Sequence, residues 1–145
     1  MSSHQGPAQL FRPAPGGAPH KPRTSVAFGF GSPADDSGIG RIDLNDILIQ
    51  HAQATFLMRV AGHSMRDAGI DEDDLVLVDR AIAPLHDHVV IAIVDDGFVC
   101  RRLVMQPHEV RLCAADATVP DIVVKAGAEL QVWGVVTHAI KSLQV

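Results

Sequence analysis

Apolar and polar residues alternate in short runs over most of the chain after residue 40. This is the pattern of half-buried β-strands, and the runs are rich in valine and isoleucine and are separated by turn residues. The predicted strands are 56–61, 75–78, 89–94, 98–105, 110–114, 122–124 and 130–140. Six or seven short strands at this spacing, with almost no helix, predict a mainly β domain.

Three local signals add detail to this pattern. The sequence Asp95-Asp96-Gly97 separates two apolar runs, and Asp-Gly favours a tight hairpin turn with positive φ. Apolar residues at helical spacing predict a short helix over 43–50, with Asp43 as its N-cap. The acid-rich stretch 67–74 is predicted to be a turn, with the acid run 71–74 solvated.

The first 40 residues differ from the rest because they are rich in glycine and proline and have little periodic apolar content. They are predicted to form an extended or disordered N-terminal arm, followed by a β domain over 41–145. The most apolar part of the arm contains Phe28 and Phe30. We expect these rings to lie against the domain or against a dimer mate.

Composition narrows the class of protein. The chain has 145 residues, 47% of them hydrophobic, and a net charge of −5. No run reaches the 18 apolar residues of a membrane span, and no signal pattern opens the chain, so a cytoplasmic protein is expected. Because there is no basic stripe, a role on DNA would run through a partner. Cys100 and Cys113 are expected to be free thiols.

A series of short motifs occurs in a fixed order along residues 26–143. They are Gly29-Phe30, Ser32-Pro33-Ala34, Arg41-Ile42-Asp43-Leu44-Asn45, Leu48-Ile49-Gln50-His51, Gly62-x-Ser64-Met65, Gly69-Ile70, Asp74-Leu75, Val78-Asp79 and Trp133-Gly134-Val135-Val136-x-His138. Together they resemble the LexA/UmuD family of serine–lysine autopeptidases, the S24 peptidases, and its UmuD-like members in particular.

The resemblance implies a compact, strongly bent β domain that forms homodimers and needs no metal or cofactor. It implies that a RecA filament on single-stranded DNA stimulates the protein to cut its own arm. It further implies that the trimmed dimer joins a Y-family (UmuC-like) polymerase subunit in error-prone translesion synthesis, the SOS mutagenesis pathway. The first 40 residues cannot form the helix-turn-helix of a repressor, and this argues against direct, sequence-specific DNA binding.

The resemblance also assigns the site. It places the nucleophile on Ser64, the general-base lysine on Arg101, and the scissile bond on Phe28-Gly29. A serine hydroxyl is a poor nucleophile until a base takes its proton, and a buried lysine can do so because desolvation lowers its pKa. A guanidinium, with a pKa above about 12, cannot.

Arg101 is one departure from the family pattern, and a second lies at the residue before the scissile bond. The family places a small residue before the scissile glycine, whereas this chain has Phe28. A pocket shaped for a methyl group or a thiol accepts a phenyl ring only after repacking, at a cost of about 1–3 kcal/mol. Arginine outnumbers lysine nine to three, so Arg101 alone could reflect drift. Because Arg101 and Phe28 both affect the same self-cleavage reaction, the two changes together favour impaired or lost self-cleavage.

Two alternatives stay open. The chain could be an active autopeptidase whose base is His63, His138 or hydroxide, or it could be a regulator that pairs with a cleavable homologue and offers an uncleavable arm. The pair His86-x-His88 has the alternate spacing of metal ligands on a strand. No third ligand is near in the sequence, so an exposed loop is the preferred interpretation and no metal is expected.

Overall fold

The computed structural model describes residues 10–11, 40–125 and 128–144. One short helix, α1 (Leu44–Leu48), precedes most of the strands. The strands are β1 (Leu10–Phe11), β2 (Thr55–Arg59), β3 (Leu75–Asp79), β4 (Val89–Val94), β5 (Gly97–Gln106), β6 (Glu109–Cys113), β7 (Ile122–Val124) and β8 (Gln131–Ile140). The prediction of a mainly β fold is confirmed. No helix in these ranges is long and apolar enough to cross a membrane.

The strands form one antiparallel sheet in the order β1-β2-β3-β8-β4-β5-β6-β7. The last strand thus lies in the middle of the sheet, between β3 and β4. β1, which belongs to the predicted arm, is the edge strand and pairs with β2, with Leu10 opposite Met58. The rest of the arm, including Phe28 and Phe30, lies outside the described residues, so the boundary at residue 40 stays a prediction.

Register shifts interrupt the pairing of the central strand β8. One occurs against β3 between Leu77 and Val78, and the other against β4 between Ile91 and Ala92. Bulges of this kind bend strands and increase the local twist. They therefore allow one sheet to curve around more than one group of buried side chains.

β4 and β5 form a hairpin, as predicted, but the positive φ angles lie one residue earlier than the Asp-Gly pair. Val94 pairs with Gly97, so Asp95 and Asp96 are the two turn residues, with φ of 50° and 63°. Aspartate tolerates the left-handed region better than most residues, and two positive φ angles match the twist of the flanking strands. Gly97 is the first residue of β5 rather than part of the turn.

The predicted N-cap of α1 is confirmed. The side chain of Asp43 accepts a hydrogen bond of 3.0 Å from the backbone N–H of Asn45. The helix ends at Leu48, two residues earlier than predicted, because the cap residue Ile49 has extended backbone angles. Leu44 and Ile47 are exposed, so the apolar face of α1 does not belong to the core.

Two groups of buried side chains make up the core. The first contains Met58, Val60, Met65, Ile70, Val76, Val78, Ile91 and Cys100, and the second contains Val90, Ala92, Val99, Leu103, Leu112 and Val135. Consecutive residues of β5 alternate between them: Val99 belongs to the second group and Cys100 to the first. Because neighbouring strand residues point to opposite faces, apolar packing covers both faces of the sheet at β5.

Gly134 in β8 marks a close approach between β8 and β3. A methyl group there would lie 2.6 Å from Val78 Cγ1 and 3.3 Å from Arg80 Cγ. We expect Gly134→Ala to lower the free energy of unfolding by about 1–3 kcal/mol, as for other overpacked cores. The measurement is a urea unfolding midpoint. Adding Val78→Ala removes the clashing atom, so the double variant should lose less than the two single losses together, and additive losses would contradict this explanation.

Candidate functional site

Ser64 lies in the loop between β2 and β3, and this loop contacts the middle of β5. Pairing of β6 with β5 starts at Arg102 opposite Cys113, so Cys100 and Arg101 have no β6 residue beside them. The Ser64 loop contacts β5 at this point, where Ser64 Oγ donates a long hydrogen bond of 3.5 Å to the carbonyl oxygen of Cys100. The sheet topology therefore brings residues 64 and 100–101 together.

The sequence of the loop explains why Ser64 is held in place. Gly62 has a φ of 85°, a left-handed conformation that glycine adopts without strain. Met65, the residue after Ser64, is buried in the first core group and so anchors the loop there. The backbone N–H of Ala115 donates a hydrogen bond of 2.7 Å to the Ser64 carbonyl. Ser64 is thus fixed by backbone and core contacts on both sides.

Arg101 and Ser64 are both almost fully buried, with exposed fractions of 2% and 1%. Arg101 Nη1 donates a hydrogen bond of 2.8 Å to the carbonyl oxygen of Cys100, the same atom that accepts from Ser64 Oγ. The guanidinium and the hydroxyl therefore meet at one acceptor, and both act as donors to it. The structure places the two predicted site residues next to each other.

Burial controls the ionisation of the groups around this carbonyl. Desolvation lowers the pKa of Arg101, and the neighbouring Cys100 and Asp121 act in the opposite direction. A guanidinium nevertheless starts from a pKa above about 12 and stays cationic in proteins. Desolvation also raises the pKa of the Cys100 thiol to about 12. Cys100 is therefore a protonated, unreactive thiol at neutral pH, and it supplies neither a nucleophile nor a base.

The two histidines that the sequence analysis names as alternative bases, and also Lys141, have other contacts. His63 is about half exposed, and its Nε2 lies 3.9 Å from Asp116 Oδ2. His138 is exposed and its Nδ1 lies 3.0 Å from Thr137 Oγ1. Lys141, near the C-terminus, forms ion pairs with the carboxylates of Asp71 and Asp74. The described contacts of these three side chains are thus with other residues and not with Ser64.

The carboxylate of Asp116, which the sequence analysis did not select, also belongs to this site. Its side chain is buried, and Arg66 Nη2 lies 3.0 Å from its Oδ2. Asp116 and Asp67 both line a shallow cleft of about 540 Å³ beside the Ser64 loop. The spacing Asp116-x-Thr118 is a local signal for a side chain that bonds its own backbone, but nothing in the sequence links it to Arg66.

The histidine pair is not arranged as a metal site. His86 Nδ1 accepts a hydrogen bond of 2.9 Å from the backbone N–H of Met105, and His88 Nδ1 accepts one of 3.0 Å from that of Leu85. Both imidazoles thus tie a loop to its neighbours. No group of three or more metal-ligating side chains occurs within the described ranges. Phe28 and Gly29, the predicted cleavage site, lie outside those ranges.

Comparison with known proteins adds a further finding. A family model described as peptidase S24-like matches residues 22–137. The chain is 38% identical over 112 residues to protein ImpA of Escherichia coli, covering 77% of this chain and 76% of ImpA. It is 31% identical over 116 residues to protein MucA of Escherichia coli, covering 79% of each.

The LexA repressor of Cupriavidus taiwanensis is also similar, being 34% identical over 87 residues. That alignment covers 60% of this chain but only 40% of the repressor. The similarity to ImpA and to MucA therefore extends over most of this chain and most of each relative. The similarity to the repressor covers less than half of the repressor.

Proposed function

Because this chain belongs to the peptidase S24-like family, as its motifs predicted, we propose that it is a UmuD-like protein of SOS mutagenesis whose self-cleavage is impaired or lost. In this proposal it is a homodimeric accessory subunit of an error-prone Y-family polymerase and acts with the RecA filament. Its arm carries a relic cleavage site at Phe28-Gly29. Ser64 stands at the nucleophile position and Arg101 at the position of the general base.

The observation that carries the proposal is the shared acceptor of the two site residues. Ser64 Oγ and Arg101 Nη1 both donate to the Cys100 carbonyl, at 3.5 and 2.8 Å. A general base must lie within reach of the proton that it takes and must be able to accept it. Arg101 lies at the same carbonyl as the hydroxyl but fails the second condition, because a cationic guanidinium has donors and no acceptor.

An active autopeptidase is the second candidate, and the contacts of the other bases weigh against it. His63 faces Asp116, His138 contacts Thr137, and Lys141 is paired with two carboxylates. Each would have to leave its partner and approach a buried hydroxyl. Hydroxide from the solvent would have to reach Ser64, which is nearly inaccessible.

The polymerase partnership is supported by the extent of the similarity rather than by any contact. ImpA and MucA match this chain over more than three quarters of their length, whereas the LexA repressor matches over less than half of its own. This coverage groups the chain with ImpA and MucA rather than with the repressor. The net charge of −5 weighs against direct binding to duplex DNA, since such binders are usually basic.

The proposal is tested by incubating the full chain with activated RecA filaments, and separately at alkaline pH, and following its mass. We expect the wild-type chain to stay intact over times in which a cleavable family member is fully trimmed, since general-base catalysis is worth about 10²–10⁴-fold. Ser64→Ala is the matched control and should behave like the wild type. Wild-type trimming at Phe28-Gly29 that Ser64→Ala abolishes would favour the active enzyme instead.

A heterodimeric regulator is a variant of the same proposal. It predicts that the chain co-purifies with a cleavable homologue when both are expressed together. Its distinguishing result is a mixed dimer that persists after the homologue has been trimmed. A chain that forms only homodimers under these conditions is assigned to the polymerase role alone.

A further inference from the structure

One buried carboxylate faces both flanks of the nucleophile position. Asp116 Oδ2 lies 3.0 Å from Arg66 Nη2 and 3.9 Å from His63 Nε2. The Asp116 side chain is only 1% exposed, whereas those of Arg66 and His63 are 57% and 55% exposed. Since His63 precedes Ser64 and Arg66 follows it by two residues, a single negative charge holds the loop from either side of the hydroxyl.

Asp116 is itself held in a fixed orientation. Its Oδ1 accepts hydrogen bonds from the backbone N–H of Thr118, at 2.9 Å, and from the Thr118 hydroxyl, at 2.7 Å. These two bonds, and the charges of Arg66 and His63, hold the pKa of Asp116 below its usual value. The carboxylate is therefore ionised, with one oxygen committed to Thr118 and the other directed at the loop.

The backbone reinforces the same contact. Ala115 donates its N–H to the Ser64 carbonyl and accepts a hydrogen bond from the N–H of Asp67, both at 2.7 Å. The segment 114–118 follows β6 directly, so it connects the Ser64 loop to the strand that pairs with the strand of Arg101. The segment and the Ser64 loop are therefore joined by two backbone hydrogen bonds, one on each side of Met65 and Arg66.

We propose that Asp116 is a positioning residue for Ser64, which it holds against the Cys100 carbonyl through Arg66 and His63. This inference rests on the proposed function, because it takes Ser64 as the nucleophile of an ancestral self-cleavage reaction. An exposed ion pair contributes little by itself. Here the carboxylate of Asp116 is buried and its other oxygen is bonded to Thr118. The ion pair therefore fixes the position of Arg66 and the Ser64 loop in addition to its electrostatic attraction.

The test uses a background in which a base has been supplied, the Arg101→Lys, Phe28→Ala protein. Asp116→Asn keeps the size of the side chain and both Thr118 bonds but removes the charge. Its self-cleavage should be slower by roughly tenfold or more, since misplacement of a reacting group by about 1 Å can cost 10²-fold. Arg66→Gln should slow the reaction by a similar factor, and the double variant should be no slower than the slower single variant.

Glu109→Gln is the matched control. It also neutralises a carboxylate paired with an arginine, since Glu109 Oε2 lies 2.7 Å from Arg111 Nε, but it does so on β6, outside the contacts of the Ser64 loop. Its self-cleavage rate should equal that of the background. An unchanged rate in Asp116→Asn, an equal slowing by Glu109→Gln, or independent, multiplicative effects of Asp116→Asn and Arg66→Gln would each overturn the proposal.

A second measurement separates this inference from the proposed function. If the background protein does not cleave, residues 28 and 101 are not the only groups that limit the reaction, and Asp116 is then judged by amide hydrogen exchange in the wild-type chain. The N–H groups of Asp67 and Ala115 should exchange roughly tenfold faster in Asp116→Asn, with the amides of β3 and β8 unchanged. Equal exchange at Asp67 and Ala115 in the two proteins would overturn the positioning role.

Discussion

Replacing Arg101 with lysine and Phe28 with alanine should restore self-cleavage between residues 28 and 29. Supplying a general base is worth about 10²–10⁴-fold in rate. A small residue at position 28 removes the overpacking that a phenyl ring would cause in a pocket shaped for a methyl group. The double variant should therefore be trimmed in the presence of RecA filaments while the wild type stays intact.

The environment of Arg101 explains why lysine should act as a base there. The side chain at position 101 is almost fully buried, and this burial already lowers the pKa of the arginine. The same desolvation acts on a lysine, whose ordinary pKa of about 10.4 is closer to neutrality. A lysine at this position is thus expected to be neutral in a larger fraction of molecules, and a neutral amine accepts a proton from Ser64.

Three controls define the result. Adding Ser64→Ala to the double variant should abolish trimming, which shows that Ser64 is the nucleophile. The single variants divide the effect: Arg101→Lys reports the base and Phe28→Ala reports the substrate residue. Trimming in Phe28→Ala alone would show that Arg101 was never the obstacle. No trimming in the double variant would contradict the proposal that only these two groups limit the reaction.

The strands were predictable because apolar alternation is a local property. The bounds of β4 and β7 agree with the prediction, while β5 and β6 begin one residue earlier than predicted. Gly97 and Glu109 extend these strands because backbone pairing continues past the apolar run, and pairing depends on the neighbouring strand. The strand order could not be predicted in the same way, since β8 joins β3 and β4 from far away in the sequence.

The site was predictable only in part. Ser64 and Arg101 were selected through the family resemblance, because no pattern of apolar residues shows that positions 64 and 101 meet at one carbonyl. Asp116 was missed because its partner Arg66 is fifty positions away and an acid among alanines looks like a turn residue. Only the path of the chain after β6 brings that carboxylate to the Ser64 loop.

Leu103→Ala should cause the largest loss of stability among the substitutions considered. Leu103 is 1% exposed in the second core group, lies on β5 two residues after Arg101, and pairs in register with Leu112. Truncating a buried leucine removes transfer free energy and leaves a cavity, at a cost of about 2–5 kcal/mol. The measurement is urea unfolding at a fixed protein concentration, because the apparent stability of the proposed homodimer would depend on concentration.

Leu143→Ala provides the matched control, since it makes the same chemical change at a side chain that is 80% exposed. Its unfolding free energy should stay within about 0.5 kcal/mol of the wild type. The contrast between the two variants tests whether the packing beneath β5 holds the strand that carries Arg101. Equal losses of unfolding free energy in the two variants would show that burial of Leu103 does not stabilise the fold. The position of Arg101 near Ser64 would then need another cause.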